Sequence, residues 1–187
     1  MITQVWNQNK MEKTENITLV PVSMQHVGTM YDLIKNDNKE LSLWTTIPYP
    51  ITKKKIKQYY QSAKKNDETI FTIKNKKTKE LMGSIGFMYN ARNNNAAIGY
   101  WVGKKFRNKG YVTQAVEKML EYGFRKRKVN RIEITAMEKN TASNRVIEKI
   151  GFVYEGTLRL AGYNGLKQYN DIKIYSILKE EWEKNEN

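Results

Sequence analysis

Ile98-Gly99-Tyr100-Trp101-Val102-Gly103-Lys104-Lys105-Phe106-Arg107-Asn108-Lys109-Gly110-Tyr111-Val112-Thr113 is the stretch on which the reading turns. Residues 96–102 read as a strand. Residues 103–110 form a short basic loop with a glycine at its end. From Tyr111 the apolar positions fall into helical spacing. A strand that feeds a helix through such a loop is how a phosphate site is made from backbone. The first amides of a helix have no partner inside it and sit at the positive end of its dipole. Gly110 lets the chain turn and come close without a Cβ, so several amides can converge on a diphosphate, with Arg107 and Lys109 adding charge. The loop is not a Walker loop, because no Gly-Lys-Ser/Thr follows a first glycine. It is not the dinucleotide fingerprint either, because G-x-G-x-x-G is absent.

Working outward from this stretch, the apolar period gives the architecture. Val112, Ala115, Val116, Met119, Leu120 and Phe124 share one face, which predicts a long amphipathic helix over 111–127. Before the stretch, residues 70–74, 81–89 and 96–102 alternate with period 2 and have short connections, which predicts an antiparallel meander. Upstream of these, a strand over 17–22 carries Pro21 and is expected at an edge. Helices follow over about 27–34 and 52–65, with a loop over 36–51 between them. Downstream, a strand near 132–136, a helix over 142–150 closed by Gly151, and strands over 152–160 and 171–178 complete the chain. The order is β-α-α-β-β-β-α-β-α-β-β, an α/β protein with a mixed sheet and helices packed on it. One domain is expected over 16–187, preceded by an extension over 1–15.

Composition narrows the chemistry. The chain has 187 residues, no cysteine and one histidine, His26. Disulfides, thiolate metal sites, cysteine nucleophiles and multi-histidine zinc sites are therefore excluded, and no metal is expected. His26 sits beside Val27 and reads as structural. Met30, Met82, Met88 and Met119 read as core. No apolar run approaches the roughly 20 residues of a membrane span, and Met1 to Lys13 lacks an apolar signal core, so a cytoplasmic protein is expected. The 33 Lys+Arg against 19 Asp+Glu leave a net charge of +14. That field suits polyanions such as nucleic acid, acidic protein surfaces or a phosphate-bearing cofactor, or it is a lysine-rich solvated surface. The run Arg125-Lys126-Arg127-Lys128 closes the long helix, where cations favour the dipole.

Arg107-Asn108-Lys109-Gly110-Tyr111-Val112 resembles the Q/R-x-x-G-x-G/A signature of the GNAT (Gcn5-related) N-acetyltransferases, with Val112 at its relaxed last position. Further blocks stand in the family's order: Ile98 to Val102, Asn130-Arg131-Ile132-Glu133, Asn140 to Phe152, Glu155-Gly156 with Arg159, Tyr169-Asn170-Asp171 and Tyr175-Ser176. The series is similar to the Rim-type branch, the ribosomal-protein N-terminal acetyltransferases, over about residues 17–182. The resemblance implies splayed fourth and fifth strands with the pantetheine arm of acetyl-CoA between them. It places Tyr100, Trp101 and Val102 on that arm and Arg107, Asn108, Lys109, Gly110, Tyr111, Val112 and Thr113 around the diphosphate. Asn140 bonds the arm from the other side, and Trp44 and Tyr49 line the acceptor cleft.

Acetyl transfer to an amine needs a neutral amine, donors for the oxyanion and a donor for the departing thiolate. The family's usual tyrosine, seven residues after the asparagine, is replaced by Ile147. Rim-type relatives carry a serine three residues after it, which makes Ser143 the expected thiol-side donor. The usual glutamate before the Ile-Gly-Tyr block is replaced by Ala97, and Gly162 stands where some Rim-type enzymes have another. Glu155, Asp171 or a water wired to backbone carbonyls are the remaining candidates for the base. The expected acceptor is a protein N-terminal α-amine, as on a ribosomal protein, in a monomer or homodimer with no need for direct nucleic-acid binding. The alternatives are a small amine (polyamine or antibiotic), or a catalytically weak RNA- or ribosome-binding module on the same fold. These alternatives separate by thiol release against salt-steep RNA binding.

Overall fold

The computed structural model describes residues 16–65 and 68–186; the expected extension over 1–15 lies outside them. The strands are β1 (Ile17–Pro21), β2 (Glu68–Asn75), β3 (Leu81–Asn90), β4 (Asn95–Val102), β5 (Arg131–Met137), β6 (Val153–Tyr163) and β7 (Tyr169–Leu178). The helices are α1 (Val27–Ile34), α2 (Asn38–Trp44), α3 (Lys53–Lys65), α4 (Tyr111–Glu121), α5 (Thr141–Ile150) and α6 (Lys179–Glu186). The strands form one seven-stranded sheet in the order β1-β2-β3-β4-β5-β7-β6. All neighbours run antiparallel except β4 and β5, which are parallel. β1 is an edge strand and ends on Pro21, a residue that cannot donate to a ladder.

Both faces of the sheet are covered, and each has its own core. On one face Ile85, Phe87, Ile98, Ile132, Ile134 and Tyr175 pack against Val116, Met119 and Leu120 of α4 and Ile147 of α5. On the other, Met30 and Ile34 of α1, Leu41 of α2, and Ile56 and Tyr60 of α3 pack with Ile70. No described helix is long and apolar enough to cross a membrane.

Four expectations change. Residues 36–51 are not all loop, because α2 lies inside them. The run Asn36-Asp37-Asn38 reads locally as a turn, but buried Asn38 gives its amide to Ser42 Oγ (3.1 Å) and Pro48 C=O (3.3 Å) and accepts from Ile51 N–H (2.6 Å). A helix of seven residues needs such tertiary support, since short helices are marginal alone. The long helix does not run straight to Arg127, because a π-helical turn over Tyr122–Arg127 widens it and keeps Phe124 in the core. The unexpected α6 is started by Glu181, whose carboxylate accepts from Leu178 N–H (2.9 Å). Trp182 of α6 packs on Phe124, with ring centroids 5.3 Å apart. Of the four methionines read as core, Met88 is exposed at the end of β3.

Candidate active site

The parallel pairing of β4 with β5 covers three residue pairs only: Asn95 with Arg131, Ala96 with Ile132 and Ala97 with Glu133. Beyond Ala97 the two strands part. β4 keeps its bonds to β3 as far as Val102, and β5 keeps its bonds to β7 as far as Met137. The inner edges of residues 98–102 and 134–137 therefore face a wedge-shaped slot with unpaired backbone groups. Buried backbone groups are almost always paired, so such a slot is a place where another extended chain can bond.

After β4 leaves the split, residues 103–110 lead to the N-terminus of α4. Gly110 is its cap residue, with φ +74° and ψ 1°, a left-handed conformation that costs glycine nothing. Asn108, at φ +59°, is left-handed too. The first bond into the helix is Gln114 N–H to Gly110 C=O at 3.2 Å, so the amides of Tyr111, Val112 and Thr113 have no carbonyl partner within the helix. A Cβ built on Gly110 would meet nothing within 4 Å, so the space beside Gly110 is open. A helix start with amides that have no partner within the helix, beside the exposed Lys109, fits a diphosphate.

Arg107 acts differently from its expected place beside the diphosphate. Its guanidinium reaches α2, donating to Glu40 Oε1 at 2.6 Å and to Asp37 Oδ2. Lys104 adds a weaker contact to Glu40 at 3.4 Å. Burial pushes the Asp37 carboxyl up, while the hydrogen bond from Asp37 and the nearby cations hold Glu40 down. The Arg107 side chain thus ties the loop to α2, and its charge is answered by two carboxylates.

The two sides of β4 differ. Tyr100 packs towards the core under α4 and α5, and Trp101 packs towards the core of α1 to α3. Across the slot from β4, Asn140 caps α5, its Oδ1 accepting from Ser143 N–H at 3.2 Å. Ser143 Oγ lies 2.8 Å from Tyr100 Oη. Tyr100, Asn140 and Ser143 therefore meet at one place, with a hydroxyl pair bridging β4 and α5. Burial pushes the Tyr100 phenol up to about 12, partly offset by the bond to Ser143. The spacing of Asn140 and Ser143 was readable in the sequence, but no pattern linked them to Tyr100, 43 positions from Ser143.

Trp44 ends α2, half-buried, and Tyr49 lies exposed in the following loop, on the same side of the sheet as Trp101. The β6–β7 turn clamps this loop. Asn164 Nδ2 donates to Leu43 C=O (3.2 Å), Gly165 N–H to Ser42 and Thr45 C=O (2.9 and 2.8 Å), and Tyr49 N–H to Gly165 C=O (3.1 Å). A Cβ on Gly165 would sit 1.7 Å from Ile47 O, so only glycine permits this approach.

Glu155 does not suit a general base. Both its oxygens accept from Arg131, at 2.6 and 2.5 Å, and Ser176 Oγ donates to it at 2.7 Å. These bonds hold its carboxyl down at about 2, so it binds protons poorly at neutral pH. Asp171 Oδ1 accepts from Leu160 N–H at 2.8 Å in the bulged part of β6. His26 is a local brace, with Nδ1 3.2 Å from Ser23 N–H and 3.0 Å from Thr72 Oγ1. Among the described residues, no group of three or more His, Asp or Glu side chains could hold a metal ion.

The model of the acetyltransferase (GNAT) domain matches residues 16–153. The putative ribosomal N-acetyltransferase YdaF of Bacillus subtilis (strain 168) is 44% identical over 92 residues, 49% of each chain. The match thus spans about half the length of that curated relative. The ribosomal-protein-serine acetyltransferase of Escherichia coli (strain K12) is 26% identical over 87% of this chain and 93% of its own. Among solved structures, RimL, a ribosomal L7/L12 alpha-N-protein acetyltransferase in complex with coenzyme A, superposes with a TM-score of 0.79 at 22% identity, covering 89% of this chain and 96% of its own. That likeness speaks for the fold. With the family model spanning most of its length, the split between β4 and β5 and the glycine-capped helix beside it, this chain belongs to the GNAT acetyltransferase family.

Proposed function

We propose that the protein moves an acetyl group from acetyl-CoA to the α-amine of a protein N-terminus, of the kind a ribosomal protein offers. The observation that carries this reading is the slot beyond Ala97, whose strand β4 leads through a glycine-capped loop to the amides at the start of α4. Asn108, Lys109, Gly110, Tyr111, Val112 and Thr113 hold the diphosphate, chiefly through backbone amides, and the main chain of Arg107 completes the loop. The free edge of Tyr100, Trp101 and Val102 bonds the pantetheine arm as an added strand would, and Asn140 meets it from the other bank. The thioester supplies an acyl carbon open to attack and a leaving sulfur. Ser143 donates a hydrogen bond to that sulfur, and amides of β4 near Trp101 serve the carbonyl oxygen.

The acceptor comes from the Trp101 side, past Trp44 and Tyr49. An α-amine has a pKa near 8 and a lysine near 10.4, so the α-amine is about two units easier to neutralise. With Ala97 in place of a glutamate and Glu155 held by Arg131, an amine that needs only a weak base suits the site better. The likeness to YdaF and to the Escherichia coli ribosomal-protein-serine acetyltransferase supports an acceptor on the ribosome. The basic surface suits a ribosome-associated partner and disfavours a polyamine. The experiment is a thiol-release assay over N-terminal peptides, lysine-bearing peptides with blocked N-termini, polyamines and aminoglycosides. Release with free N-terminal peptides at a kcat/KM at least tenfold above the others is expected. Preference for any other class overturns the acceptor, and binding to RNA with no release from any amine overturns the transferase reading.

A further inference from the structure

The contact between Tyr100 and Ser143 joins β4 to α5 beside the slot where β4 and β5 part. Two hydroxyls in contact share one hydrogen along their axis, and the other hydroxyl's hydrogen must point elsewhere. Phenols are stronger donors than aliphatic alcohols, so the natural assignment is Tyr100 O–H to Ser143 Oγ. Ser143 then accepts from Tyr100 and its own hydrogen is free for a third group.

We infer that Tyr100 is a positioning residue: it fixes the Ser143 hydroxyl as a donor aimed into the slot, at the sulfur of coenzyme A. The inference rests on the acetyl-transfer reading and deepens it. Ser143 is held at two points, its backbone N–H by Asn140 Oδ1 (3.2 Å) and its oxygen by Tyr100 (2.8 Å). A donor with one rotamer and one free hydrogen loses little freedom when charge develops on sulfur. Burial keeps the Tyr100 proton in place, so the phenol directs the serine without giving its proton away. In the reaction the amine nitrogen forms the new C–N bond, the C–S bond breaks and sulfur takes its electron pair. The proton lost by nitrogen reaches sulfur through water. Ser143 and Tyr100 end with the hydrogens they began with. The pair thus takes the place of the tyrosine that Ile147 replaces, with the phenol supplied from β4 instead of α5.

The test titrates bound coenzyme A, with no acceptor present, by the ultraviolet absorbance of its thiolate. The proteins are wild type, Tyr100→Phe, Ser143→Ala and the double variant. A directed donor stabilises the thiolate, so the bound thiol is expected to titrate about one unit lower in wild type than in either single variant. The double variant is expected to match Ser143→Ala, because Tyr100 acts only through the serine. In turnover, Tyr100→Phe is expected to lower kcat about tenfold with KM for acetyl-CoA within twofold. A Tyr100→Phe titration equal to wild type overturns the inference. So do shifts that add in the double variant, since Tyr100 then acts on its own, and so does failure of coenzyme A to bind. Refusal of every N-terminal peptide as acceptor removes only the acceptor reading, because the titration uses none.

Discussion

At the scale of single residues, Gly110 serves two demands that pull on the same atom. Its φ of +74° disfavours any side chain, and the open space beside it is where the proposed function puts a diphosphate. Two substitutions separate the demands. Gly110→Ala adds only a methyl in open space and a left-handed strain of about 1 kcal/mol. It is expected to lower stability by that amount and to change acetyl-CoA affinity less than threefold. Gly110→Asp adds the same strain and a negative charge beside the proposed phosphate site. Two like charges about 4 Å apart repel by some 4 kcal/mol at an effective dielectric of 20. Loss of affinity beyond tenfold for Asp, against little for Ala, is the expected calorimetric result. Equal affinities for the two variants would remove the cradle from Gly110. Arg107 carries a different lesson. The motif around it was legible, but its side chain answers Asp37 and Glu40, 70 and 67 positions away. Nothing within the motif records those partners.

At the scale of elements, what local pattern encodes was readable and what distant partners impose was not. The three-strand meander, α4 and α5 follow from period and caps, and their ends match the sequence reading to within two residues, except where the last turn of the long helix is π-helical. The slot followed only from the resemblance, because no residue in β4 or β5 advertises a missing pairing. α2 stayed hidden because its supports lie outside it: the backbone of Pro48 and Ile51 that Asn38 bonds, Arg107 and the β6–β7 turn. A further joint binds the far half of the sheet. Arg131 of β5, Glu155 of β6 and Ser176 of β7 form one hydrogen-bonded cluster across three strands. The Glu155 carboxyl is depressed from 4.5 to about 2, first by the Arg131 bond and then by Ser176. A depressed carboxyl stabilises the fold above its unfolded pKa, and that stability fades as pH falls through the folded value. Glu155→Gln is therefore expected to be less stable than wild type at pH 7, with the deficit shrinking between pH 4.5 and 2. Denaturant midpoints across that range measure it, and a deficit constant with pH would show that packing, not charge, is what Glu155 supplies. Glu155 is partly solvated, so the deficit is expected to be small.

At the scale of the whole molecule, the sheet divides the work. The face under α4 and α5 carries Tyr100, Ser143 and the helix whose N-terminus holds the phosphate in the proposed reading, so the proposed cofactor side is built from one core. The opposite face carries Trp101, α2 and the clamped loop with Tyr49, the side from which the proposed acceptor approaches. Arg107 joins the two sides through Asp37 and Glu40. Around both lies a net charge of +14, more than a bound cofactor with a few phosphate charges consumes. A field of that size raises the encounter rate of acidic partners and is screened by salt, with a Debye length of about 8 Å at 0.15 M. Two N-terminal peptides with the same first residues, one continuing into an acidic segment and one into a neutral segment, isolate this effect at saturating acetyl-CoA. From 0.05 to 0.3 M salt, kcat/KM for the acidic peptide is expected to fall several-fold while the neutral peptide changes little. Since kcat at saturation depends on the slot and not on encounter, it is expected to stay constant for both. Parallel salt curves for the two peptides would place the excess charge outside acceptor recognition, leaving it a solvated surface around a site that works by local contacts alone.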